Sequence, residues 1–124
     1  MILCLETATG LCSVALCGTS GIVALKESAE GRSHASLLTL FVQEILNEAG
    51  INACDLDAVA VSKGPGSYTG LRIGVSAAKG IAYAASIPLI AIDTTYSMFN
   101  GFKSSFAENY EITRHDLFCP VLDA

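Results

Sequence analysis

The sequence predicts an α/β protein: a mixed five-stranded sheet with helices packed on it, in the order β-β-β-α-β-α-β-α. Three observations carry that prediction. Two short apolar runs, residues 12–17 and 22–26, are joined by the turn Gly18-Thr19-Ser20-Gly21, which is the pattern of an antiparallel hairpin. Two further short apolar runs, residues 58–62 and 89–92, alternate with helical stretches, as in β-α-β crossovers. The third observation is the stretch Ser62-Lys63-Gly64-Pro65-Gly66-Ser67-Tyr68-Thr69-Gly70-Leu71-Arg72-Ile73-Gly74. Its Gly64-Pro65-Gly66 must turn the chain sharply from strand end to helix start. Proline fixes its own φ there, and glycine permits angles that other residues resist.

In chain order, residues 2–6 are an apolar run read as a central strand, and Thr7-Ala8-Thr9-Gly10 is a turn. After the hairpin, residues 27–33 are polar and contain Gly31, so they read as a loop. Ser33 is placed to cap a helix over residues 34–49, which Gly50 ends. At 100° per residue, Ala35, Leu37, Leu38, Phe41, Val42, Ile45, Leu46 and Ala49 cover an arc of about 180°, against roughly 100° for a surface helix. Leu40 lies outside even that arc. One sheet covers only part of such a helix, so a second covering element is expected. The glycine loop leads, with Ser67 or Thr69 as cap, into a helix from about residue 70 to residue 85 that is rich in small residues. Glycine inside a helix costs about 1 kcal/mol relative to alanine. Close approach of another backbone, from the chain's own sheet or from a neighbouring helix, would offset that. Residues 89–92 read as a buried strand, Asp93-Thr94-Thr95 as caps of a helix over 96–102, residues 104–116 as loop, and 117–122 as a last strand. The expected division is one lobe over residues 1–116, with 117–124 as the opening strand of a second lobe that is cut short.

Composition narrows the function classes. The 124 residues are 52% hydrophobic and 15% charged, with mean hydropathy +0.52. That is apolar for a soluble domain and again implies surface covered by another domain or subunit. A net charge of -5 with no cluster of Lys and Arg argues against direct binding of nucleic acid. The first residues carry no basic region and no small-residue cleavage site, so they do not read as a signal peptide. The most apolar later run, residues 80–92, is too short to span a membrane and contains Pro88. The cysteines are Cys4, Cys12, Cys17, Cys54 and Cys119, with no Cys-x-x-Cys. Cys4, Cys17 and Cys119 lie in strand-like apolar runs and read as small buried thiols in a reducing compartment, the cytoplasm, with a metal or disulfide role as the competing reading.

Two stretches have the make-up of phosphate loops. Glu6, Thr7 and Thr9 stand at a strand end, where hydroxyls and free N–H groups hold phosphate oxygens and a carboxylate can hold a metal-bound water. An ordinary polar hairpin turn is the competing reading. Gly64, Gly66 and Ser67 precede a helix N-terminus, which favours anions. The competing reading there is a tight connection with no ligand. Neither familiar glycine loop is present. No Gly-Lys-Ser/Thr follows Gly64 or Gly66, and Thr69 stands where a dinucleotide fingerprint needs its third glycine.

Taken together, Leu5-Glu6-Thr7-Ala8-Thr9, Cys12-Ser13-Val14-Ala15-Leu16, Arg32-Ser33-His34-Ala35 with Leu37-Leu38, the glycine stretch from Gly64 to Gly74, and Ala78-Lys79-Gly80 resemble the TsaB (YeaZ) family. The resemblance runs to about residue 97 and resumes weakly at Pro120-Val121-Leu122-Asp123-Ala124. It implies a lobe of the actin-like, sugar-kinase-like ATPase fold, which is ribonuclease H-like, and a glycoprotease-like ancestry. It implies a non-catalytic scaffold in threonylcarbamoyladenosine formation on tRNA, with tRNA reached only through the complex. The implied partners are a catalytic homologue of the TsaD type and an ATPase of the TsaE type, with a homodimer in isolation and no membrane. The implied cofactor state is none bound by this chain alone, ATP being used by the wider complex.

On that reading the first two helices form the partner surface. Leu37, Leu40, Phe41 and Glu44 belong to the first, and Arg72, Val75, Ser76, Ala77, Lys79, Gly80 and Tyr83 to the second. No residue is assigned a catalytic or metal-binding role. A His-x-x-x-His pair, which the resemblance implies for the catalytic homologue, cannot form here. The two histidines are His34 and His115, and Leu38 stands four residues after His34. His34 reads instead as a hydrogen-bonding residue at a helix start. The alternatives are a glycoprotease-like metallopeptidase, which needs those missing ligands, and a stand-alone actin-fold ATP-binding kinase, which needs an adenosine site from a second lobe.

Overall fold

In a computed structural model, which describes residues 1–29, 34–106, 111–113 and 115–122, the strands are β1 (Ile2–Glu6), β2 (Cys12–Gly18), β3 (Gly21–Ser28), β4 (Ala58–Gly64) and β5 (Leu89–Asp93). The helices are α1 (His34–Ala49), α2 (Tyr68–Ala85) and α3 (Thr94–Phe106). The strands make one mixed sheet in the order β3-β2-β1-β4-β5. β1 pairs antiparallel with β2 and parallel with β4, so the N-terminal strand is central. β2 and β3 form the expected hairpin, and β5 adds parallel to β4.

Period-two alternation decides which face carries the core. Leu3, Leu5, Cys12, Val14, Leu16, Val59 and Val61 are buried on one side of the sheet. Leu37, Leu38 and Ile45 of α1 and Ala78 and Ala82 of α2 join them in one hydrophobic cluster. α3 instead packs on β4 and β5, and its Ser97 lines a cleft over the opposite sheet face.

α2 lies unusually close to the sheet's end because its buried stripe is Gly70, Gly74, Ala78 and Ala82, four residues apart. Gly70 and Gly74 face Thr7 in the turn after β1, and Ala78 and Ala82 face the core. Of the two explanations for a helix so rich in small residues, packing onto the chain's own sheet and turn accounts for these four. Ser67 is the cap, its Oγ accepting from the Gly70 N–H at 3.3 Å, so the helix starts at Tyr68 rather than at Gly70.

Three expectations are corrected. Thr94 does not cap α3. It is the first helical residue, buried, and its hydroxyl has no hydrogen-bond partner. α3 also continues to Phe106, beyond the expected end at residue 102. Residues 117–122 form no strand, because a strand needs a neighbour to pair with and none of the described residues supplies one. Phe118 instead packs on Phe99 and Phe102 of α3, with ring centroids 5.0 and 5.6 Å away. The expected cap Ser33 lies outside the described residues, as do Asp123 and Ala124.

Two glycines of α2 separate packing from helix propensity. A methyl group at Gly70 would sit 2.0 Å from the Thr7 carbonyl oxygen, whereas nothing stands within 4 Å of one at Gly80. Gly80→Ala is expected to stabilise the protein by up to about 1 kcal/mol. Gly70→Ala is expected to destabilise it by about 1–3 kcal/mol, read as a shifted urea midpoint. Stabilisation at both positions would show that the turn gives way to the added methyl.

Candidate functional site

The two candidate phosphate stretches come together at the C-terminal ends of β1 and β4. Both donors and acceptors there are largely taken up by one another. Thr7 is only 1% exposed, and its hydroxyl donates to the Gly70 carbonyl at 2.8 Å. The Ser67 N–H donates to the Ala8 carbonyl at 2.6 Å. Gly66, at φ +156°, lets the loop pass so close that a Cβ would lie 2.4 Å from that same oxygen. The Ala8 N–H donates to Glu6 Oε1 at 2.6 Å, and the Ser62 hydroxyl donates to Glu6 Oε2. Glu6 therefore ties the turn to the end of β4. Thr9 Oγ1 accepts from the Leu11 N–H at 3.2 Å, an ordinary local turn contact.

Ser62 is the residue in this constellation that the sequence reading did not single out. Its signal was available: a serine closing an otherwise apolar parallel strand, side by side with the strand that ends in Glu6. Lys63, next along, pairs with Asp93 at 3.3 Å, at the start of α3. His34 has its Nε2 3.4 Å from the Gly10 carbonyl, so the ring N–H donates to the same turn. Leu38, four residues on, is 1% exposed and part of the core.

The candidate partner residues divide between the core and the outside. Leu37 is buried in the hydrophobic cluster. Phe41, Val75 and Ala77 are half-buried against it. Leu40, Arg72, Ser76, Lys79, Gly80 and Tyr83 are exposed, Leu40 by 45% and Tyr83 by 89%. Arg72 stacks its guanidinium 4.0 Å from the Tyr68 ring centroid, a cation–π contact at the first turn of α2. Glu44 is held by Lys26 of β3 at 3.5 Å, and the same ammonium holds Glu48 at 2.5 Å. The Glu48 hydrogen bond, with the charges of both carboxylates, holds the Lys26 pKa above its usual value. A shallow groove between the helices is lined by Ala35, Leu38, Thr39, Arg72, Ile73, Ser76 and Ala77. Among the described residues no group of three or more His, Cys, Asp or Glu could hold a metal ion, and no helix is long and apolar enough to cross a membrane.

Comparison with known proteins gives this geometry a lineage. Residues 22–122 match the family model of TsaD, tRNA N6-adenosine threonylcarbamoyltransferase. The chain is similar to the tRNA threonylcarbamoyladenosine biosynthesis protein TsaB of Escherichia coli, at 40% identity over 100 residues, covering 81% of this chain and 43% of that protein. It is also similar to the tRNA N6-adenosine threonylcarbamoyltransferase of Ruegeria pomeroyi, at 50% identity over 62 residues, covering 50% of this chain and 17% of that protein. Its fold matches YeaZ from Pseudomonas aeruginosa with a TM-score of 0.79 at 31% identity, over 86% of this chain and 49% of that one. The chain thus spans less than half the length of the E. coli relative. Its sheet and helices are one lobe of the actin-like ATPase fold. On this sequence and structural similarity, the chain belongs to the TsaD family, within its TsaB (YeaZ) group.

Proposed function

We propose that this chain is part of a non-catalytic scaffold subunit in the synthesis of threonylcarbamoyladenosine on tRNA, acting in the cytoplasm. It docks through the outer face of α1 and α2 on a catalytic homologue of the TsaD type, or on a second copy of itself when alone. A TsaE-type ATPase joins that assembly, and tRNA meets the complex rather than this chain. The observation that carries the reading is the outward face of α1 and α2. Leu40 and Tyr83 are large apolar side chains exposed on these helices. The similarity to proteins named for this pathway supports the same reading.

Burying a leucine at an interface contributes about 1.5–3 kcal/mol, and an unpaired buried charge costs more. Ala77 is half-buried against the core, so a charge there would also disturb folding. Leu40 and Tyr83 isolate the interface better. Leu40→Glu and Tyr83→Glu in the full-length protein are expected to leave the circular-dichroism spectrum unchanged. Each should weaken association with the TsaD-type homologue at least tenfold, roughly 1.4 kcal/mol, in analytical ultracentrifugation. Unchanged association in both variants would remove this face from the reading.

The scaffold reading also has no resident nucleotide or metal. Calorimetric titration of the isolated protein with ATP and magnesium is expected to give no saturable heat. Protein purified without a histidine tag should carry less than one equivalent of zinc or iron. A full equivalent of metal lost on His34→Ala would favour the metallopeptidase alternative, and stoichiometric ATP binding the kinase one.

A further inference from the structure

The strand pair β1–β2 sets two thiols against each other on the sheet face turned away from α1 and α2. Leu3 and Leu5 of β1 and Val14 and Leu16 of β2 point into the core, so Cys4 and Cys17 point the other way. Cys4 is opposite Ala15, and Cys17 is opposite Ile2, which makes the two cysteines diagonal neighbours on one face. Their sulfurs are 3.8 Å apart, with the Cys4 thiol donating to Cys17 Sγ. Both side chains are part-exposed, unlike Cys12, which is buried. Cys4 lines the cleft that holds Glu6, Ser13 and Ser62, and Cys17 lines a separate depression with Met1 and Gly18. Small solutes therefore have a path to each sulfur.

We infer that Cys4 and Cys17 are a modification site, a dithiol that a hydroperoxide oxidises to a reversible intrachain disulfide. Disulfides in reducing compartments, where they occur, are mostly transient and redox-sensing. Burial, then the neighbouring Cys17 thiol, push the Cys4 thiol up to about 12. The Cys4 thiol donates towards the Cys17 sulfur, so Cys17 is taken as the attacking sulfur. The Cys17 sulfur attacks one peroxide oxygen, the O–O bond breaks, and Cys17 sulfenic acid results, with water from hydrogen peroxide or an alcohol from an organic hydroperoxide. The Cys4 sulfur then attacks the Cys17 sulfur. The S–S bond forms, the S–O bond breaks, and the departing hydroxide takes the Cys4 proton to leave as water. Two thiols give two electrons to one peroxide. The sulfurs must close from 3.8 Å to about 2.0 Å, by rotation of two part-exposed side chains that already share a face.

The test uses the full-length protein with the exposed Cys54 and Cys119 replaced by alanine, so that neither forms bonds between molecules. It is treated with hydrogen peroxide, blocked with maleimide and examined by intact mass and peptide mapping. The expected result is a loss of about 2 Da, with the Cys4 and Cys17 peptides joined, unlabelled, and released by dithiothreitol. Cys17→Ser in the same background should abolish the joined peptide. Oxygen added to either cysteine without a joined peptide, no reaction at either, or a bond to Cys12 instead, would overturn the inference. If Cys17→Ser does not fold, phenylarsine oxide on the unmutated pair gives the second readout. One equivalent should protect both cysteines from maleimide, and protection of neither counts against the site.

Discussion

The close approach of α2 to the turn after β1 is the constraint on which the rest of the structure depends. Gly66, Gly70 and Gly74 face Ala8 and Thr7 at distances where no side chain fits. Thr7 and Ser67 then stitch the two elements together through hydrogen bonds, that of Thr7 buried. Glycine in a helix interior costs about 1 kcal/mol relative to alanine, so the contact must return more than its two helical glycines lose. A hydrogen bond to a buried hydroxyl and van der Waals packing of two backbones supply it. Once α2 is seated there, Ala78 and Ala82 fall on the sheet by the four-residue repeat, and Arg72, Lys79 and Tyr83 are turned outward. The outward set of residues on α2 is thus a by-product of how the helix meets the turn.

The same contact accounts for what the turn does with its polar groups. A loop that holds phosphate keeps N–H groups and hydroxyls open to the ligand. Here the Ala8 N–H is met by Glu6, the Ser67 N–H by the Ala8 carbonyl, and the Thr7 hydroxyl by Gly70. Buried polar groups need partners, and the groups of this turn find them within the turn and its neighbours. Glu6 ties these groups together. From the end of β1 its two carboxylate oxygens serve both the turn and Ser62 of the adjacent parallel strand.

Much of the fold was legible because its signals were local. The hairpin turn, the apolar runs of the strands and the helix over residues 34–49 needed only period and punctuation, and Gly50 at φ +66° ends that helix as its position suggested. What escaped were choices made by tertiary contact. A wheel of apolar side chains spanning half of α1 does not say which edge meets the sheet, so Leu37 read as surface when it is core. Thr94 had the chemistry of a cap, but β5 runs directly into α3 and carries it inside the helix. Residues 117–122 had the hydropathy of a strand without a sheet edge to pair with. The Glu6–Ser62 tie joins residues 56 positions apart, and only the parallel register of β1 and β4 brings them side by side.

The two faces of the sheet divide the labour of this chain. The face under α1 and α2 is built from leucine and valine, whose bulk fills the layer between sheet and helices. The opposite face near its centre carries Cys4, Ser13, Ala15, Ala60 and Ser62, all small. Small side chains there leave a cleft floor, and Ser97 of α3 lines it. Side chains of that size also stand close enough across the β1–β2 pair for two thiols to touch, which large neighbours would prevent. The two thiols proposed to react therefore lie on the face away from α1 and α2, and the residues proposed for docking lie on the other. β1 carries both Cys4 and, at its end, the turn on which α2 is seated.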